Sequence, residues 1–136
     1  MKKVFDVKKD DFENAGIVSS QIKKQVKQLG YSVDIVKRIA VGAYEAEINL
    51  IIHSDGGSVT FEIDDLGNVC LLFDDCGPGI KDLDLALQPG FSTANTKARQ
   101  LGFGAGMGLV NMKRVADEFT LTSSEKGTHL KMVFYG

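Results

Sequence analysis

Apolar residues recur along this chain with two periods, one typical of helices and one of strands. Helical spacing runs from Ile17 to Leu29, after Asn14 as a cap and before Gly30 as a stop, and again over residues 33–53. A third helix is predicted over residues 107–118. Alternation predicts five strands, the first with Val4, or Val4 and Phe5, facing inward. These strands cover residues 2–7, 58–64, 69–74, 119–123 and 128–135.

This order of elements predicts an α+β two-layer sandwich, with helices on one face of a mostly antiparallel sheet. Residues 69–74 are apolar on both faces, so we expect them to form a central strand. With 136 residues, the chain is expected to form one domain over residues 1–136. Residues 81–87 are predicted to form a short helical turn. Residues 88–105 are small, polar and without a period, which is typical of a loop that is either functional or disordered.

Composition excludes several classes of function. A net charge of -2 gives no general reason to bind nucleic acid or an anionic membrane, and no apolar run approaches the roughly 18 residues of a membrane helix. Lys23, Lys24 and Lys27 form a local cluster, which we interpret as a solvated helix face. The two cysteines, Cys70 and Cys76, fit no metal-ligand spacing, so we expect a reducing cytoplasm.

The second predicted helix carries Glu45 and Asn49, which lie four residues apart and therefore on one side. An asparagine carbonyl is a hard, neutral ligand suited to Mg²⁺ when phosphates supply the negative charge. A carboxylate one turn earlier can accept a proton from a hydroxyl that attacks a phosphoryl group. The alternative is a polar pair on a helix surface. Glu47 points elsewhere, and we expect it to be solvated or salt-bridged.

Two glycine motifs follow. Asp75 ends the central strand and precedes Gly77 and Gly79, so its carboxylate can accept a hydrogen bond from an adenine amino group; a plain glycine-proline turn is the alternative. The second motif, residues 102–108, leads straight into a helix whose first N–H groups can bind phosphate. Its spacing differs from the dinucleotide fingerprint G-x-G-x-x-G, and no strand precedes it. A flexible glycine hinge is the alternative. Between the motifs, residues 91–100 are placed to fold over a nucleotide as a lid, with Lys97 or Arg99 near the terminal phosphates. Exposed lid charges without such a role are the alternative.

These motifs, in this order, resemble the N, G1 and G2 boxes of the GHKL (Bergerat) ATP-binding fold over essentially the whole chain. Within that family the chain is most similar to the bacterial anti-sigma-factor serine kinases of the RsbT and RsbW type. The lid is longer than in many relatives, and Asn111 stands where such proteins often have a Pro-Gly turn.

The resemblance implies a role for each matching residue. Glu45 would be the general base for a partner serine, Asn49 the Mg²⁺ ligand, and Asp75 the acceptor of the adenine amino group. The remaining ATP contacts would come from the pocket glycines, the lid, the phosphate cradle and the closing turn: Gly77, Gly79, Ser92, Thr93, Lys97, Arg99, Gly104, Ala105, Gly106, Met107, Gly108, Leu109 and Thr128.

The function that this resemblance implies is an ATP- and Mg²⁺-dependent serine/threonine kinase that switches partners. Its substrate would be a STAS-domain anti-sigma-factor antagonist, its other partner a sigma factor or a PP2C-type phosphatase, and relatives often form homodimers. Two alternatives stay open: a non-catalytic ATP-binding regulatory module, and the detached catalytic domain of a histidine kinase.

Overall fold

The structure is a computed structural model, and it describes residues 1–53, 56–75, 108–124 and 127–136. The predicted helical turn at residues 81–87 and the predicted loop at residues 88–105 lie outside the described residues. Within the described ranges, no helix is both long enough and apolar enough to cross a membrane.

The described elements follow the predicted order. The chain begins with strand β1, a 3-10 turn at Phe12–Asn14, and two helices that belong to the helical layer of the fold. Their bounds, with those of the later elements, are β1 Lys2–Val7, α1 Ile17–Gln28, α2 Val33–His53, β2 Gly57–Ile63, β3 Val69–Asp75, α3 Gly108–Val115, β4 Glu118–Ser124 and β5 Gly127–Phe134.

The five strands form one sheet in the order β1-β2-β3-β5-β4, and every neighbouring pair is antiparallel. β3 lies at the centre, and its alternate residues Val69, Leu71 and Phe73 are buried. The three helices belong to one layer, in which α2 contacts both α1 and α3. This arrangement confirms the predicted α+β sandwich with helices on one face of an antiparallel sheet.

Helix α2 approaches the sheet closely at Gly42. A Cβ atom added there would lie 3.0 Å from Met132 Sδ and 3.1 Å from Phe134 Cζ, both on β5. Both of these side chains are fully buried. A residue without a side chain therefore lets the middle of α2 rest against β5, which sets how far Glu45, one turn later, stands from the sheet.

Two local predictions near the start of the chain were wrong. Val4 pairs with Thr60 and is 57% exposed, because the alternation of β1 instead turns Phe5 and Val7 toward the core. Asn14 does not cap α1: it lies in the 3-10 turn, and its Nδ2 donates to the Asp11 carboxylate at 2.8 Å. The N-cap residue is Gly16, with φ of 94°.

The third helix is shorter than predicted and ends at Val115. The backbone N–H of Asp117 donates to Val133 O at 2.9 Å, and β4 already begins at Glu118. Residues from Asp117 onward therefore pair with β5 instead of continuing the helix, as they would in an isolated peptide.

Candidate active site

The predicted base, Glu45, lies against the first turn of α3. Asn111 Nδ2 donates a hydrogen bond of 3.1 Å to Glu45 Oε1. The other oxygen, Oε2, lies 3.2 Å from the position that a Cβ atom of Gly108 would occupy. Glu45 is thus held beside the start of the helix that follows the second glycine motif.

Asn111 is a site residue that the sequence reasoning did not identify. It follows Gly108 by three residues, so both lie on the same side of α3 and face Glu45 together. The helical spacing could have placed Asn111 near Gly108. It could not have shown that Glu45 of another helix lies opposite.

Arg38 fixes the other end of α3. Its Nη1 atom donates to the Val115 carbonyl at 3.0 Å and lies 3.4 Å from Asp117 Oδ2, while its Nε donates to Asp34 at 3.0 Å. A cation at the last carbonyls of a helix also complements the helix dipole. The two contacts from α2, at Glu45 and at Arg38, therefore hold α3 at both of its ends.

Glu47 does not behave as predicted. Instead of being solvated or salt-bridged, its side chain is 1% exposed and accepts three backbone hydrogen bonds from the start of α1. Oε2 accepts from Gly16 N at 3.1 Å and Val18 N at 3.2 Å, and Oε1 accepts from Ser19 N at 3.0 Å. Because a helix leaves its first N–H groups without internal partners, a carboxylate from α2 can take the place of a local cap.

Asp75 stands at the end of β3, beside the start of β5. Its Oδ1 accepts the backbone N–H of Thr128 at 2.9 Å, and the buried Thr128 hydroxyl lies 2.9 Å from Ser123 Oγ on β4. Gly127 has φ of 137°, and a Cβ atom there would collide with the Asp75 carbonyl. A carboxylate offers about four lone-pair positions, so Asp75 can accept hydrogen bonds from more than one donor.

Asn49 lies one turn after Glu45 on α2 and is half-buried. Within residues 1–53, 56–75, 108–124 and 127–136, no cluster of three His, Cys, Asp or Glu side chains could hold a metal ion. Mg²⁺ is commonly bound by one or two protein ligands together with substrate phosphates and water. A single neutral amide such as Asn49 therefore fits a metal that arrives with a nucleotide.

The structure brings together only part of the predicted site. Glu45, Gly108 and Asn111 form one group, and Asp75 and Thr128 form another at the end of the central strands. The Leu109 side chain is buried in the core, so only its backbone would face a ligand. The other predicted contacts lie outside the described residues: Gly77, Gly79, Ser92, Thr93, Lys97, Arg99, Gly104, Ala105, Gly106 and Met107.

The fold and the site are those of the histidine kinase-like ATPases. This class combines an antiparallel sheet and a helical layer with a carboxylate beside a glycine-led helix and an aspartate at the end of the central strand. Comparison with known families agrees, because the profile of the histidine kinase-like ATPase domain matches residues 10–134. The chain belongs to this family.

Curated relatives include switch kinases of the predicted type. The chain is 30% identical over 122 residues to the serine/threonine-protein kinase RsbT of Bacillus subtilis, covering 86% of each chain. It is also 30% identical over 128 residues to the anti-sigma F factor of Thermoanaerobacter sp., covering 90% of this chain and 86% of the relative. The predicted resemblance to the anti-sigma-factor kinase group is therefore confirmed.

Solved structures show the same fold at low sequence identity. A Mycobacterium tuberculosis protein containing RsbU and RsbW domains matches with a TM-score of 0.64 and 16% identity, over 97% of this chain and 32% of that one. A SiaB-SiaC complex from Pseudomonas aeruginosa matches with a TM-score of 0.62 and 12% identity, over 97% of this chain and 88% of that one.

Proposed function

We propose that this protein is an ATP- and Mg²⁺-dependent serine/threonine kinase that regulates its partners by phosphorylating one of them. The observation that carries this proposal is the position of Glu45 against the first turn of α3. Simple nucleotide binding needs no carboxylate at that point, whereas phosphoryl transfer to a hydroxyl benefits from a positioned base there.

Each residue then has one task in the reaction. Mg²⁺-ATP, when bound, supplies the phosphoryl group. Asp75 would accept the adenine amino group, and Asn49 would bind the metal ion. The N–H groups at the start of α3 would bind phosphate oxygens. Glu45 would take the proton of the attacking serine or threonine hydroxyl, and Asn111 would keep Glu45 Oε1 turned toward α3 so that Oε2 is the accepting atom.

The names of the relatives support the kind of partner. One is a serine/threonine kinase and another an anti-sigma F factor, which favours a STAS-domain antagonist as substrate and a sigma factor or PP2C-type phosphatase as the second partner. We also propose that the protein forms a homodimer, that it is cytoplasmic and that residues 1–136 form a single domain.

A transfer assay with labelled ATP and candidate STAS proteins tests the kinase activity. The wild-type protein should phosphorylate one of them on serine or threonine. Glu45→Gln should bind ATP normally but lose about 100-fold or more in rate, since a general base contributes about that much. Asp75→Asn should instead weaken ATP binding, measured by calorimetry.

Other outcomes would contradict the proposal. Partner binding that depends on ATP, without transfer and without any effect of Glu45→Gln, would indicate a non-catalytic regulatory module. Transfer to an acid-labile histidine site would indicate a histidine kinase domain. Calorimetry with Mg²⁺ and saturating ATP that shows no heat would contradict all three readings.

A further inference from the structure

A groove runs along the outer side of the helical layer, between α1 and α2. It has a volume of about 650 Å³ and reaches from the end of α1 to the predicted base. Its residues are of three kinds: lysines, apolar or aromatic side chains, and one carboxylate. Those that matter here are Lys23, Lys27, Lys37, Val41, Tyr44 and Glu45.

The lysines make the groove positive overall, since they outnumber its single lining carboxylate, Glu45. Lys23 and Lys27 lie one turn apart on α1, and Lys37 faces them from α2. Among the ion pairs between described residues, none involves these three lysines. Three neighbouring cations without carboxylate partners repel one another, and a negatively charged partner would relieve that repulsion.

The floor of the groove is apolar, with an aromatic residue at one end. Val41 is 38% exposed and Tyr44 40% exposed, and Val33 at the other end is 85% exposed. Apolar and aromatic groups bordered by charges are typical of a surface that binds another protein. The sequence interpretation of Lys23 and Lys27 as a solvated face did not include Lys37 or this floor.

Glu45 connects the groove to the reaction site. On one side its carboxylate contacts Asn111 and Gly108 of α3, and on the other Glu45 lines the groove. A base for phosphoryl transfer must face the nucleotide and the incoming hydroxyl at the same time. Because Glu45 lines the groove, a peptide segment lying in the groove would pass next to the predicted base.

We propose that the groove between α1 and α2 binds the acceptor segment of the protein substrate, and that this segment carries acidic residues beside its serine or threonine. The acidic side chains would pair with Lys23, Lys27 and Lys37, and an apolar side chain would rest on Val41 and Tyr44. This proposal depends on the proposed kinase function, because it assigns the hydroxyl that Glu45 deprotonates.

Short fluorescein-labelled peptides with one central serine provide the probe. One is flanked by Asp and Glu, a second by Lys and a third by Gln, and each is titrated into the full chain with ADP and Mg²⁺. The acidic peptide should bind most tightly. The triple variant Lys23→Glu/Lys27→Glu/Lys37→Glu should weaken its binding about tenfold or more, as expected for the loss of three exposed charge pairs.

Lys24→Glu is the matched control for the single variant Lys23→Glu, because each reverses one charge on α1. Lys24 is exposed on the same helix but does not line the groove, so Lys24→Glu should leave acidic-peptide binding nearly unchanged. Calorimetric titration of ATP into all three variants should give wild-type affinity, which shows that the fold and the nucleotide site are intact. Equal loss from Lys24→Glu and Lys23→Glu, or equal binding of the three peptides, would overturn the proposal.

Binding and transfer are measured separately, so this proposal and the kinase function can fail independently. Lysine-dependent binding of the acidic peptide without any transfer would support the groove and contradict the kinase. Transfer to the Lys-flanked peptide as fast as to the acidic one would support the kinase and overturn the groove. A change in the molecular mass of the triple variant, measured by light scattering, would show that a second copy of this chain occupies the groove. That result would also overturn the proposal.

Discussion

The buried carboxylate of Glu47 gives the sharpest test of how the two helices are joined. Glu47 lies on α2 and accepts the backbone N–H groups of Gly16, Val18 and Ser19 at the start of α1. Replacing it by alanine would remove all three acceptors at once. Val18 and Ser19 are buried, so water could not readily replace the lost oxygens.

The expected loss can be worked from these contacts. A hydrogen bond to a charged group contributes about 1.5–3 kcal/mol, but three bonds to one carboxylate do not add fully. A buried N–H group left without an acceptor costs about 1–3 kcal/mol, and Glu47→Ala would leave those of Val18 and Ser19 and the half-buried one of Gly16, so we expect it to lower the free energy of unfolding by about 3–5 kcal/mol. Glu47→Gln keeps one acceptor oxygen and should lose about half as much.

Urea unfolding followed by far-UV circular dichroism measures these differences. The control is Glu13→Gln, because Glu13 is exposed in the 3-10 turn and should change stability by less than about 0.5 kcal/mol. A loss below about 1 kcal/mol for Glu47→Ala would show that the start of α1 finds other acceptors, and the reasoning would be wrong.

Three further changes test other contacts. Asn111→Ala should lower kcat about tenfold with little change in the KM for ATP, and should add nothing in a Glu45→Gln background, because the amide acts only through that carboxylate. Gly42→Val should lower the free energy of unfolding by about 1–3 kcal/mol in urea, since the new Cβ atom would lie 3.0 Å from Met132 Sδ. Backbone hydrogen bonding, led by that from Asn68, lowers the pKa of Asp64, so its contribution to stability is present above the unfolded pKa and is lost as the pH falls through the folded one. Asp64→Asn should therefore lose less stability than the wild type between about pH 7 and pH 3, measured by urea unfolding; an unchanged or steeper loss would contradict this.

The sequence pattern was sufficient to predict features that depend on a single strand or helix. The central place of β3 in the sheet was predicted from a run that is apolar on both faces, and residues of that run such as Leu71 and Phe73 are buried. The spacing of Glu45 and Asn49 likewise needs only the period of a helix.

Predictions failed where a distant element replaced a local partner. Asn14 looked like a cap, yet the start of α1 is satisfied by Glu47, 31 residues after Gly16. No local signal marks such a contact, because a glutamate in a helix is most often solvated. The end of α3 was misplaced for the same reason, since residues after Val115 pair with β5.

Periods and glycine motifs are properties of contiguous residues, so they were enough to predict the order of helices and strands, the two-layer class of fold and the family. Which side chains meet across elements became clear only from the folded chain. It placed Asn111 on Glu45, Glu47 on α1 and Lys37 opposite Lys23, since such contacts depend on how separate helices pack against one another.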